Sequence, residues 1–189
     1  FKYGEKLEFV HNRENFADEA KPLLDFILRY AEIMKYSNSS DRYGYYYSSS
    51  INKAEITLGE GIIDEIYDLL KDKKVNFVYD YTNCKLEFIE QNPGIEFELT
   101  KINEDELLLK PNVDVFKLAI FNGHKYDYLL IENRFYRCDK EFSDSNLKII
   151  KAFRENYTSE MLLRKKDLKD FYSIIMPKIE NNVKVEGLD

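Results

Sequence analysis

The side chains that could carry out chemistry by themselves are few and widely spaced in this chain. Its 189 residues include two histidines, His11 and His124, and two cysteines, Cys84 and Cys138. A protein zinc site needs about four such ligands at short spacing, and the sequence contains neither an HExxH nor a CxxC pattern. Cys138 lies between an arginine and an aspartate, whose effects on a thiolate oppose each other. We therefore expect no metal site, and we interpret Cys138 as a thiol at the end of a strand.

Patterns that bind cofactors or activate substrates are also absent from the sequence. The nearest approach to a phosphate-binding loop is Gly59-Glu60-Gly61, whose glutamate would repel a phosphate, so the start of a helix is the better interpretation. The densest acidic group, Glu104-Asp105-Glu106, has the composition of a solvated turn rather than of two acids facing each other across a cleft. The sequence thus predicts no catalytic residue, no cofactor and no enzyme activity for this chain. A small-molecule enzyme is the least favoured alternative.

Two groups of residues have the chemistry to contact nucleic acid. Residues 42–47 combine an arginine with tyrosines, and aromatic rings stack on unpaired bases while arginine contacts phosphates. Residues 164–169 form a basic cluster that could neutralise duplex phosphates. Each has a structural alternative, because the tyrosines could pack on the core and the lysines could line a solvated helix start. The candidate contact residues are Arg42, Tyr45, Arg164, Lys165, Lys166 and Lys169.

The charge of the chain is uneven along its length. The formal net charge is −7, which argues against a polyanion-binding surface over the whole protein. Residues 134–169 nevertheless hold ten Lys/Arg against six acids, and residues 87–106 hold seven acids against one lysine. We expect any anion-binding face to lie toward the C-terminal third, and an acidic face to lie within 87–106.

The elements that would position these groups follow from hydrophobic periodicity. Apolar residues at helical spacing predict a helical turn at 13–19, a helix at about 21–36 with Pro22 in its first turn, and a second helix at about 60–72. Ala54, Ile56 and Leu58 alternate with polar residues and suggest a short strand. The period changes to two from Val75 to Asp139, with turn signals about every ten residues, of which Asn122-Gly123 is the strongest.

The C-terminal third returns to helical spacing. We predict a helix at about 144–156 capped by Ser143, an extended segment at 158–164, and a last helix interrupted or ended near Pro177. Val183-Lys184-Val185 is interpreted as a strand that could belong to whatever follows. The predicted fold class is therefore α+β: an antiparallel meander of about five to seven strands over 75–138, flanked by N-terminal and C-terminal helices. One domain over 1–189 is expected, with helical layers at 1–74 and 140–189 and the sheet at 75–139.

Composition favours a folded protein of the reducing cytoplasm. Hydrophobic residues make up 44% and charged residues 33%, and no stretch approaches the ~20 apolar residues that span a bilayer. We interpret the two cysteines as buried thiols rather than a disulfide. The first residue is Phe1 and no secretory signal follows it, so we expect a segment excised from a larger protein.

Several segments, taken in order, resemble the bacterial SWI/SNF helicase-associated domain. The likeness spans about residues 3–189 and rests on a colinear pattern rather than on an active-site motif. The segments that carry it are residues 6–12, 23–36, 43–46 (Tyr43-Gly44-Tyr45-Tyr46), 58–70, 133–142 (Asn133-Arg134-Phe135-Tyr136-Arg137-Cys138-Asp139-Lys140-Glu141-Phe142) and 171–179.

The resemblance implies a place in a larger bacterial protein, between an N-terminal SWIM-type zinc-binding motif and a C-terminal helicase-like ATPase that translocates on double-stranded DNA. Neither zinc ligands nor ATPase motifs are present in this chain, and the family supplies no site residues to carry over. We expect a non-catalytic accessory domain whose partners are the adjoining ATPase and DNA, in the bacterial cytoplasm or at the nucleoid. The alternative is a protein-interaction scaffold that docks the ATPase lobes, or another partner, through its acidic sheet region.

Overall fold

The computed structural model describes residues 2–3, 7–8, 12–39, 60–79 and 82–186. They belong to two compact units, residues 1–58 and residues 59–189, which are described separately. The single domain predicted over 1–189 stays a prediction. The predicted strand at 54–58 lies outside the described residues, and so do His11, Arg42 and Tyr45.

The longest element among the described residues of the first unit is one helix. Pro22 lies in the first turn of that helix, as predicted, where its missing N–H would have had no partner within the helix. Leu24 and Phe26 are buried on it. In chain order the described elements are β1 (Lys2–Tyr3), β2 (Leu7–Glu8), two 3₁₀ turns (Arg13–Asn15 and Asp18–Ala20) and α1 (Lys21–Ser39).

The second unit holds the remaining described elements. In chain order they are α2 (Glu60–Leu70), β3 (Val75–Tyr79), β4 (Thr82–Ile89), β5 (Phe97–Asn103), β6 (Glu106–Pro111), β7 (Leu118–Asn122), β8 (Asp127–Ile131), β9 (Arg134–Cys138), α3 (Lys140–Phe142), a π-helical segment (Ser143–Leu147), α4 (Lys148–Glu155), β10 (Met161–Arg164), α5 (Lys165–Asp170), a second π-helical segment (Phe171–Ile175), α6 (Met176–Ile179), a 3₁₀ turn (Glu180–Asn182) and β11 (Val183–Glu186).

The strands of this unit form two sheets. The first has five strands in the order β3-β4-β9-β8-β7, and the second has four in the order β10-β6-β5-β11. Each sheet is antiparallel except for one parallel pair, β4 with β9 and β5 with β11. The predicted α+β class is confirmed. The two-residue period located the strands. The β5–β6 hairpin, however, lies in the second sheet, where it pairs with β10 and β11.

Strand β8 explains why both faces of the first sheet are covered. Successive side chains of a strand point to opposite faces. Tyr128 and Leu130 pack against Ile63 and Tyr67 of α2, whereas Leu129 joins the larger core. All three are buried, so α2 lies on one face of the sheet and the larger core on the other.

The helices after β9 begin earlier than predicted. The Asp139 carboxylate accepts a hydrogen bond from the Phe142 N–H at 2.8 Å, so Asp139 and not Ser143 is the N-cap. The later helix is interrupted before Pro177, as predicted, by the π-helical segment Phe171–Ile175. A proline favours such an interruption because it has no N–H to donate and its ring crowds the preceding turn.

The C-terminal strand belongs to this fold. β11 pairs in parallel with β5, with Val183 opposite Phe97 and Val185 opposite Leu99. The suggestion that residues 183–185 could belong to a following segment is therefore wrong.

Candidate functional site

The predicted basic cluster lies where β10 turns into α5. Leu163 is buried on β10, and Arg164, at the end of the strand, is exposed. The backbone N–H of Arg164 donates to the Asp167 carboxylate at 3.3 Å, which starts α5 directly after the strand. Lys165, Lys166 and Lys169 are all exposed. Four of the six predicted nucleic-acid contacts are thus brought together, and Arg42 and Tyr45 lie outside the described residues.

The acidic turn between β5 and β6 lies beside this cluster. Arg164 is the register partner of Glu106 across the β10–β6 pair. Lys165 Nζ contacts Asp105 Oδ1 at 2.8 Å, and this carboxylate raises the pKa of Lys165. Antiparallel pairing of β10 with β6 therefore joins two segments that the sequence presents as separate charged regions.

We call residues 104–106 together with residues 164–170 the mixed-charge surface. Residues 164–170 contain four cationic and two acidic side chains, and the turn adds three more acids. The formal charges nearly cancel, so the long-range attraction for a polyanion is small. A surface with alternating signs at close range is instead suited to contact with a complementary protein surface.

The other basic residues of the 134–169 stretch do not extend this surface. They lie on β9 and on the helices that follow it, and most of them form ion pairs with acids or donate hydrogen bonds to other oxygen atoms of the chain. The contacts are Arg134 with Glu87 at 3.6 Å, Arg137 with Asp68 and Glu90, Lys148 with Asp144 at 2.7 Å, Lys151 with the Asn122 side chain at 2.9 Å, and Arg154 with the Leu118 carbonyl at 3.2 Å.

Arg137 is the centre of an arrangement that the sequence analysis missed. Its guanidinium carbon lies 4.2 Å from the ring centroid of Tyr67 and 5.0 Å from that of Tyr126. It pairs with Asp68, and with Glu90 at 3.2 Å. Burial alone would lower the pKa of Arg137, but the hydrogen bond that it donates to Asp68 and the charge of that carboxylate, together with nearby tyrosines, raise the pKa above its ordinary value. The sequence gives little indication that these residues meet, because the partners of Arg137 are spread over residues 67–126.

A polar cleft of about 370 Å³ lies beside Arg137. Its wall includes Glu90, Asn92 and Asp139, and the Asn92 side chain donates to Asp139 at 2.7 Å. Because Asp68 and Glu90 already neutralise the guanidinium, this cleft offers no strong attraction for an anionic ligand. We interpret the arrangement as a set of structural contacts that hold α2, β9 and the loop after β4 together.

The groups considered for catalysis that lie within the described residues include Cys138 and His124. Cys138 is fully buried, and this burial, followed by the charges of Asp127 and Asp139, raises the pKa of its thiol to about 12. His124 is exposed in the β7–β8 turn. Within the described residues, no three His, Cys, Asp or Glu side chains form a group that could hold a metal ion.

The carboxylate of Asp64 has a structural role in the same turn. It accepts hydrogen bonds from the backbone N–H groups of His124 at 2.8 Å and Lys125 at 3.0 Å, and from the Tyr128 hydroxyl at 2.7 Å. A Cβ at Gly123 would collide with this carboxylate and with the Tyr126 carbonyl. Glycine is therefore needed at residue 123 for close approach to α2.

Among the described residues, no helix is long and apolar enough to cross a bilayer.

Comparison with known protein families identifies a family to which most of the chain is similar. A family model described as "Bacterial SNF2 helicase associated" matches residues 55–187. This range nearly coincides with the second compact unit, 59–189. It contains three of the six segments on which the resemblance was based, 58–70, 133–142 and 171–179, whereas 6–12, 23–36 and 43–46 lie outside it. Neither a curated protein nor a solved structure matches the chain.

Proposed function

Because this chain belongs to the bacterial SNF2 helicase associated family, we propose that it is a non-catalytic accessory module in a bacterial cytoplasmic protein. It positions or regulates the SNF2-type, DNA-dependent ATPase region of that protein. The family match over residues 55–187 carries this proposal. The site supports it, since the thiol of Cys138 is buried and His124 stands apart from any metal-binding group among the described residues.

The mixed-charge surface is the contact that we assign to the ATPase region. It carries charges of both signs, most of them exposed, and Lys165 contacts Asp105 at 2.8 Å. Electrostatic complementarity of this kind fixes the register of two protein surfaces more than it adds raw affinity. This interpretation joins the two sequence-based hypotheses, because the basic cluster and the acidic turn are parts of one surface.

Direct DNA contact is the second candidate function. Lys166 and Lys169 are exposed on α5, and no acid lies within ion-pair distance of either among the described residues. Two phosphate contacts would give a slope of roughly −2 for the logarithm of the binding constant against the logarithm of salt concentration. A duplex titration of the 189-residue chain at several salt concentrations tests this. No binding at about 50 mM salt would exclude DNA contact by the chain alone.

The decisive experiment compares DNA-stimulated ATP turnover of the parent protein with and without residues 55–187. We expect the deletion to change the stimulation by DNA, because the module acts on the ATPase region. Unchanged basal and stimulated turnover would refute the proposal. Since a deletion can disturb folding, a point variant is needed beside it.

The variant Asp105→Lys reverses one charge at the centre of the mixed-charge surface. We expect roughly two- to fivefold weaker binding of the chain to a separately produced ATPase region, the range for an exposed charge pair. Glu155→Lys is the matched control, because Glu155 is exposed at the end of α4, away from the surface. The double variant Asp105→Lys/Lys165→Asp restores the internal pair but not the charge pattern. If the double variant binds normally, the single variant acted through local folding and the docking role is wrong.

A further inference from the structure

An apolar groove opens between the two C-terminal helical segments and the second sheet. Its volume is about 230 Å³. Its floor is Leu109 of β6, and its walls are Ile149 and Ala152 of α4, Met161 and Leu163 of β10, and Phe171 and Ile175 of the second π-helical segment. The groove lies entirely within the second compact unit. It does not contain the charged residues of the mixed-charge surface.

The two π-helical segments found among the described residues both lie at this groove. Ser143–Leu147 contributes Asp144 and Ser145 to its lining, and Phe171–Ile175 contributes Phe171 and Ile175. A π-helical turn holds an extra residue and therefore widens the helix locally. Such turns are rare and are frequently found at functional sites. The presence of both segments in the lining of one groove is an observation separate from its apolar character.

The size of the groove fits one side chain. A dry cavity of about 150 Å³ lined by Leu, Ile and Phe accepts a benzene ring. The groove here exceeds that volume but is below the range of about 300–1,000 Å³ that holds drug-sized ligands. A single aromatic ring, together with the first atoms of its backbone, fills it.

The rim of the groove is basic. Lys148 and Lys178 line the opening together with one acid, Asp144. Lys148 Nζ contacts Asp144 at 2.7 Å. The bond from Lys148, its charge, and the charges of Lys140 and Lys178 together lower the pKa of Asp144. The rim therefore holds two lysines against one carboxylate, and the excess positive charge favours acidic residues on the polypeptide that enters.

We propose that this groove binds a partner polypeptide through one aromatic side chain that is flanked by acidic residues. The ring enters the apolar floor, and the flanking carboxylates reach Lys148 and Lys178. Interfaces of this type depend on a few aromatic anchors in pockets, with charges at the rim giving orientation. This inference does not depend on the role proposed for the mixed-charge surface.

The test uses three peptide probes and nuclear magnetic resonance of the ¹⁵N-labelled 189-residue chain. The probes are acetyl-Glu-Phe-Glu-amide, acetyl-Lys-Phe-Lys-amide and acetyl-Glu-Ala-Glu-amide. A single buried ring predicts a Kd of roughly 1–50 mM for the first probe, a range that resonance shifts can follow. We expect its shifts to centre on Ile149, Ala152 and Leu163. The basic probe should bind roughly two- to fivefold more weakly, and the alanine probe at least about tenfold more weakly.

Three variants separate groove binding from general effects. Ala152→Leu fills the groove and should abolish the response to the first probe, while Ala31→Leu, at an exposed position of α1, should leave it unchanged. Lys178→Gln should weaken the acidic probe but not the basic one. Thermal melting of each variant checks that the chain is folded.

Several results would overturn the proposal. They are equal binding of the acidic and basic probes, an unchanged response in Ala152→Leu, and no shift at the groove with about 50 mM of the first probe. If the same resonances shift when the chain alone is diluted, a second copy of the chain occupies the groove. The acidic-aromatic partner would then be wrong.

Discussion

Replacing Asp64 tests the contact between α2 and the β7–β8 hairpin. The half-buried carboxylate accepts three hydrogen bonds, from the N–H groups of His124 and Lys125 and from the hydroxyl of Tyr128. Hydrogen bonds to a charged group contribute about 1.5–3 kcal/mol each when buried, and less when water has access. For Asp64→Ala we expect a loss of roughly 2–4 kcal/mol in the free energy of unfolding, because two turn N–H groups and a buried hydroxyl lose their acceptor.

The variant Asp64→Asn should cost less, roughly 1–2 kcal/mol. Its carbonyl oxygen can still accept from both backbone N–H groups, and its amide can donate to the Tyr128 hydroxyl, so only the charge is lost. Tyr128→Phe removes one bond and should cost about 1–2 kcal/mol. The double variant Asp64→Asn/Tyr128→Phe should lose less stability than the sum of the losses in the two single variants, because the two side chains share one hydrogen bond.

The charge of Asp64 also predicts a pH dependence. Burial alone would raise the pKa of Asp64, but the hydrogen bonds from Tyr128, Lys125 and His124 lower it below the ordinary value. A lowered pKa stabilises the fold fully above the unfolded pKa of about 3.9, and this contribution disappears as the pH falls through the folded pKa. The stability difference between the natural chain and Asp64→Asn should therefore shrink below about pH 4.

Urea unfolding followed by circular dichroism measures these differences across pH. Asp72→Asn is the matched control, because Asp72 is an exposed carboxylate beyond the end of α2. We expect it to change stability by less than about 0.5 kcal/mol. If Asp64→Ala costs no more than this control, or Asp64→Asn costs as much as Asp64→Ala, the proposed contact does not hold the hairpin.

Three further predictions follow from burial and strand pairing. With a thiol reagent at pH 8, Cys138 should react far more slowly than the half-buried Cys84, because the pKa of Cys138 is about 12 and its side chain is fully buried; equal rates would contradict this. Phe153→Ala should lower the free energy of unfolding by roughly 3–5 kcal/mol in urea unfolding, since the ring is fully buried in the larger core; a loss below about 1 kcal/mol would contradict that burial. Deleting residues 183–189 should lower the melting temperature and expose the β5 edge, which amide hydrogen exchange at Leu99 would report; unchanged exchange would contradict the β5–β11 pairing.

The sequence predicted the elements of this fold better than their partners. The two-residue period that begins at Val75 located the strands, because alternation depends only on local burial. It could not separate the two sheets, since pairing of β10 with β6 and of β11 with β5 joins residues far apart in the chain. Asn122-Gly123 correctly marked a hairpin. Its glycine, however, is needed for close approach to Asp64 rather than for a positive φ.

In the candidate site, too, the sequence predicted local features but not the contacts between residues far apart in the chain. Residues 164–169 were identified from composition alone, and they are exposed and adjacent. That Asp105 lies 2.8 Å from Lys165 depends on a strand register that no local pattern encodes. The cap at Asp139 was missed for a local reason: Ser143 is also a good capping residue, and the helix starts immediately after β9. The partners of Arg137 were missed because they are separated by up to 70 residues in the chain.

Strand β10 connects the two surfaces proposed here and also allows them to be tested separately. Met161 and Leu163 line the apolar groove, whereas Leu162 and Arg164 are exposed on the other side of the strand. Because side chains alternate, a substitution at Arg164 changes the mixed-charge surface without changing the groove. Filling the groove at Ala152 leaves the ion pair between Lys165 and Asp105 in place. If both changes impair ATPase coupling in the parent protein independently, with additive effects, the module holds its partner at two separate contacts on the same strand-helix unit.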